Sequence, residues 1–165
     1  MRVIDKELIR LVIISNGTDN LQEIKKIIEN GADVNIQDKH NKEFNYFIDF
    51  AISLNNKNIN EYNIVANTPL HWAVIVNNPK VVKLLLENGA NPNIQNEVGM
   101  VPLHWVFKEE NTNLLIPKFL IENGANPNIQ EEELYTPLHF AIYFNRNLHV
   151  IKQLFIKNNV NVNVL

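Results

Sequence analysis

The chain has 165 residues and a mass of 19.1 kDa, the size of one domain or a short repeat array. Its 45% hydrophobic content suffices for a buried core, and 15 Lys and Arg against 18 Asp and Glu leave a net charge of -3, with no basic footprint for a nucleic-acid backbone or an anionic membrane. Cysteine is absent, which excludes disulfides, thiolate zinc sites and Cys nucleophiles and sits easily with a reducing cytosol.

The first stretch, MRVIDKELIRLVIISNG, carries Asp5, Lys6, Glu7 and Arg10 where a secretory signal is apolar, so no cleavable signal is expected. No run in the chain approaches the ~18 apolar residues of a membrane span. LQEIKKIIENGADVNIQ follows, a helical pattern that stops at Gly31. Residues 38–66 are irregular. They include KEFNYFIDFAISLNN, in which Phe44, Phe47, Ile48, Phe50, Ala51 and Leu54 are apolar around most of a helix, the pattern of a helix buried between neighbours. From residue 67 the chain repeats itself, with NTPLHWAVIVNNPKVVKLLLENGANPNIQ from Asn67, MVPLHWVFKEENTNLLIPKFLIENGANPNIQ from Met100 and YTPLHFAIYFNRNLHVIKQLFIKNNVNVN from Tyr135. Thr68 to Val101 is 33 residues and Val101 to Thr136 is 35, whereas Gly31 to Gly89 is 58, about 25 more than one period. The 29 asparagines are read first as a bias of A/T-rich codons, because they alternate with well-patterned helices.

Thr68 and Thr136 are expected to cap first helices, with Pro69, Pro102 and Pro137 at the first helical position, where a missing N–H costs nothing. Val101 lacks the capping hydroxyl, a loss of roughly 0.5–2 kcal/mol for that helix. Gly31, Gly89 and Gly124 fall just past helix ends, where a left-handed residue is needed, and Asn159 takes that place in the last repeat. One helix pair cannot cover its own apolar face, but stacked pairs can.

TPLH followed by VVKLLLENGA strongly resembles the ankyrin repeat over 67–165 and matches it well over 20–37, whereas 38–66 departs from it. The resemblance implies an all-α solenoid of stacked antiparallel helix pairs with short β-hairpin fingers. About five repeats are expected, at approximately 1–33, 34–66 (irregular), 67–99, 100–134 and 135–165. Residues 43–54 are expected to form the first helix of a short second repeat, the rival being a 25-residue insertion in the first finger. Either makes the segment particular to this protein.

His71, His104 and His139 recur with the repeat and fall in separate layers about 10 Å apart, too far to share a metal with ~2 Å bonds. The resemblance gives them structural hydrogen bonds. His40 and His149 have no repeated partner and are expected at the surface. Ser15 and Ser53 lack a Gly-rich elbow, Glu109 and Glu110 read as loop charges, and no nucleotide-binding or zinc-protease motif occurs. No enzyme activity, cofactor or metal is expected. Trp72, Trp105 and Phe140 share one position and are read as core, with a binding stripe as the lesser reading.

Positions that vary in the family, the finger tips and the end of each first helix, hold the candidate partner-binding residues. They are Glu97, Val98 and Met100, then Glu132 and Tyr135, with Ile75, Lys108, Tyr143 and Phe144 on the helices. Ile75, Met100, Tyr135 and Tyr143 are the stronger anchors. A protein partner, basic at its contact surface, follows from the acidic rim; nucleic acid and membrane do not. Two alternatives stand beside this one. Ile151, Leu154, Phe155 and Ile156 near the C-terminus suit weak self-association into a structural array, and the composition suits a microbial effector or inhibitor acting on a host protein. The expected location is cytoplasmic, including that of a host cell.

Overall fold

In a computed structural model, residues 1–15, 20–38, 66–108 and 113–144 are described. They form seven helices: α1 (Val3–Ile13), α2 (Leu21–Glu29), α3 (Pro69–Ile75), α4 (Pro79–Glu87), α5 (Pro102–Lys108), α6 (Leu115–Glu122) and α7 (Pro137–Tyr143). Within a layer α1 packs on α2, α3 on α4 and α5 on α6. Between layers α1 packs on α3, α3 on α5, α5 on α7, α2 on α4 and α4 on α6. Leu8, Val12, Ile24, Leu70, Trp72, Leu85, Leu103, Trp105 and Leu120 fill the resulting single core.

The TPLH segment works as anticipated. Thr68 accepts the His71 backbone N–H, while the Thr68 N–H donates to His71 Nδ1 at 3.1 Å. At Val101 half of this box survives: its N–H donates to His104 Nδ1 at 3.1 Å, and the His104 N–H falls back on the Val101 carbonyl at 3.0 Å.

An asparagine ladder ties the layers together along their turns. Asn35 Nδ2 donates to the Gly89 carbonyl (3.2 Å) while its Oδ1 accepts the Asn91 N–H (2.7 Å); Asn93 does the same to Gly124 (2.9 Å) and Asn126 (2.7 Å). The first layer has no predecessor among the described residues, and the Arg2–Asp5 pair stands in for the missing amide. Arg2 donates to the Gly31 carbonyl at 3.0 Å and Asp5 Oδ1 accepts the Asp33 N–H at 2.9 Å. Asp5 is buried, and its hydrogen bonds from Arg2 hold its carboxyl below the usual range.

The expected second repeat falls largely outside the described residues, but its two flanks are placed. The first helix pair stacks directly on the pair at 69–87. The finger base between them is described as well. Asp38, Asn96 and Glu131 occupy equivalent places, donating through their N–H groups to the carbonyls of Asn67, Met100 and Tyr135 at 2.9, 2.9 and 3.1 Å. Their carbonyls accept from Ala66, Gly99 and Leu134 at 2.7, 3.0 and 2.9 Å. The first finger base therefore closes like the others, with residues 38 and 66 meeting as 96 and 99, or 131 and 134, do elsewhere. The helix expected at 43–54, and with it the choice between a short repeat and a finger insertion, lies outside the described residues. So do His40, Ser53, Glu109, Glu110, His149, Asn159 and the apolar stretch from Ile151 to Ile156. Each finger is closed by this one pair of backbone bonds, and no strand forms among the described residues.

The third member of the closure is left-handed in every finger, with φ of 62° at Ala66, 78° at Gly99 and 65° at Leu134. Gly99 is required twice over, since a Cβ there would meet the Glu131 Cα at 3.0 Å. Leu134 instead carries a strain of roughly 1–2 kcal/mol on a side chain that is 66% exposed. Leu134→Gly should stabilise the fold by about 0.5–1 kcal/mol after the added chain entropy is discounted. Urea unfolding measures this, and a loss of stability would mean that the leucine side chain contributes more than its backbone costs.

Candidate functional site

Burial makes His71 and His104 structural, while the half-buried His139 keeps the cap contact, its Nδ1 accepting the Thr136 N–H at 3.0 Å. His71 Nδ1 accepts the Thr68 N–H, so Nε2 carries the proton and donates to the Met100 carbonyl at 3.0 Å. His104 repeats the arrangement, with Nε2 donating to the Tyr135 carbonyl at 3.1 Å. Each ring thus links its own helix cap to the next finger. Burial pushes both imidazoles down to about 4, so they are neutral at pH 7. Among the described residues no group of three or more acidic or histidine side chains is placed to hold a metal ion.

Asp38 is the acidic counterpart. Its Oδ2 accepts Trp72 Nε1–H at 2.6 Å and its Oδ1 accepts the Asn67 N–H, while burial raises its pKa to about 7. The indole therefore has a packing role and a polar one. Trp72 and Trp105 are buried and Phe140 half-buried, which supports the core reading of this position.

The surface candidates separate into two groups. Ile75 is 0% exposed and Met100 4%, so both belong to the core and the expectation that they face a partner is corrected. Met100 is drawn inward because its N–H donates to Asn96 Oδ1 at 2.9 Å and its carbonyl receives His71. Val76, next to Ile75, is buried too. Glu97 is exposed and Val98 half-buried on the second finger, whose Val98 carbonyl accepts the Glu132 N–H of the third finger at 3.1 Å. Lys108 is half-buried with its ammonium over the Trp105 ring.

Tyr135, Tyr143 and Phe144 come together. With Glu133, His139, Phe140 and Ile142 they line a cleft of about 540 Å³ between the third finger and α7. Tyr143 is 83% exposed, Ile142 50% and Tyr135 47%. Their counterparts in earlier layers are buried or half-buried: Ile75 and Lys108 for Tyr143, Val74 and Phe107 for Ile142, Met100 for Tyr135. Glu132 stands exposed on the same finger beside Glu133. Sequence patterning missed Ile142, because its repeat position is a core position wherever a following layer covers it.

Among the described residues no helix is long and apolar enough to cross a membrane. The family whose profile matches the chain is described as ankyrin repeats (3 copies), with matches over residues 11–96 and 70–165. No curated protein matches the chain at a significant level.

Proposed function

The chain belongs to the ankyrin repeat family, whose members are in general protein–protein interaction modules, and from that premise we propose that it is a non-enzymatic docking platform for a protein partner. The observation that supports this reading most is the aromatic cleft between the third finger and α7, where apolar side chains face solvent at positions that the earlier layers bury or half-bury. Tyr135 packs against His139 with ring centroids 5.5 Å apart and Tyr143 against Phe144 at 5.0 Å, contacts that restrict these rings before a partner arrives and lower the entropic cost of association. The exposed Glu97, Glu132 and Glu133 select a partner that is basic where it touches the fingers. Ser15, the one described serine, donates its Oγ–H to the Val12 carbonyl at 2.6 Å and is fully buried, a helix-end role rather than that of a nucleophile. The cytosol, of the cell that makes the chain or of a host, is the compartment this reading favours.

Replacing Tyr135 and Tyr143 together by Ala should weaken the partner complex by about 10- to 100-fold, or ~1.4–2.8 kcal/mol. Circular dichroism of the double variant should match the wild type. The partner is one whose cross-links to the chain map to the third finger or α7; unchanged affinity of such a partner would move the site elsewhere.

Self-association is the second reading, favoured by the exposure of Ile142 and Tyr143 on the last described layer. Light scattering at several concentrations separates the two, and a strictly monomeric chain removes the self-association. An effector or inhibitor role has only composition and family in its favour.

A further inference from the structure

The third layer displays what the aromatic position does when a cation is present. Lys108 there stands at the place of Tyr143, and Trp105 at the place of Phe140; Lys108 Nζ lies 4.7 Å from the centroid of the Trp105 ring. In the next layer the ring is kept and the lysine is replaced by Tyr143. At this repeat position an aromatic ring thus stands where the earlier layer has its ammonium. Tyr143 stands edge-on to Phe144, with centroids 5.0 Å apart at 84°, and Phe144 tilts against Phe140 at 6.0 Å and 44°. Rings set at such angles offer π-faces in more than one direction, and the Glu133 carboxylate stands among the described lining residues.

The geometry points to a seat for one basic side chain of the partner, the guanidinium or ammonium of an Arg or Lys, held by the faces of Phe140 and Tyr143 and by Glu133. A cation is drawn to an aromatic face by the ring quadrupole, and a carboxylate alongside adds a charge-assisted hydrogen bond. A protein is a better source of that cation than a lipid headgroup. The chain carries a net charge of -3, and Glu132 and Glu133 at the rim repel an anionic bilayer. This assignment rests on the docking-platform reading and adds to it the chemistry of the anchor residue.

The test titrates the full chain with a short acetylated and amidated Gly-Arg-Gly peptide and with its citrulline counterpart, which keeps the shape and lacks the charge. NMR reads the ring resonances of Tyr135 and Tyr143. The arginine peptide should give saturable shifts, the citrulline peptide should bind at least about five-fold more weakly, and salt should weaken the former. Tyr143→Lys supplies an internal ammonium where Lys108 stands one layer earlier, and should weaken the arginine peptide by at least about five-fold with helix content unchanged. Glu133→Gln should weaken it a few-fold. Equal binding of the two peptides, or no shift of these rings at concentrations on the order of tens of millimolar, overturns the seat. A cross-linked protein partner that binds wild type and Tyr143→Lys alike also overturns the seat while leaving protein docking intact. Absence of any such partner sinks the docking reading itself.

Discussion

Acidification from pH 7 to pH 4 should destabilise the fold by a few kcal/mol, and Asp38→Asn should make that loss steeper. His71 and His104 have folded pKa values of about 4 against an unfolded value near 6.5, so the unfolded chain takes up more protons through this window. Their contribution is complete above pH 6.5 and disappears as the pH falls through 4, on the order of 3 kcal/mol each. Asp38 opposes them. Its folded pKa of about 7 lies above the unfolded value of 3.8, so its contribution is complete below pH 4 and is lost as the pH rises through 7. One raised carboxyl thus offsets roughly one lowered imidazole. The Asn variant cannot titrate, and the two histidines then act without opposition. Urea midpoints at intervals between pH 4 and 7 measure both slopes. Parallel curves for wild type and variant would show that Asp38 is ionised throughout. Below this window Asp5 adds a further loss, since Arg2 holds its carboxyl down.

Trp72→Ala should cost roughly 3–5 kcal/mol, the largest effect expected of a single substitution here. The indole is 1% exposed and packs within the same cluster as the buried side chains of α1, α3 and α5. Its removal leaves a cavity, and it also takes one of the donors from the buried Asp38 carboxyl. Trp72→Phe separates the two causes. It keeps most of the ring volume and loses only the N–H, so it should cost about 1–2 kcal/mol and raise the Asp38 pKa further. Chemical denaturation gives the stabilities and carbon-detected NMR of the Asp38 carboxyl gives its titration. A Phe variant as stable as wild type, with Asp38 titrating as before, would show that the hydrogen bond contributes nothing.

Local chemistry carried much of the fold. Thr68, Pro69 and His71 write a helix start that closes within four residues, and Gly89 writes a helix end at φ +85°. Such signals are readable in sequence because the atoms that satisfy one another are close along the chain. The candidate cleft was legible in part: Tyr135, Tyr143 and Phe144 sit at positions the repeat leaves variable, and the structure gathers them. Ile75 and Met100 sit at positions of the same kind and are buried, because burial depends on what lies across the layer boundary.

The amino-acid order by itself determined the period, the helix caps and which faces must be covered, all consequences of contacts a few residues apart. How the chain on either side of 39–65 is joined was decided only in three dimensions. Asp38, Ala66 and Asn67 meet at the base of the first finger across an interval that no local pattern encodes. The direct stacking of α1 on α3 is a tertiary outcome of the same kind. Exposure at Tyr143 and burial at Ile75 were decided in the same way, because one repeat position changes character with the neighbour that tertiary packing places against it.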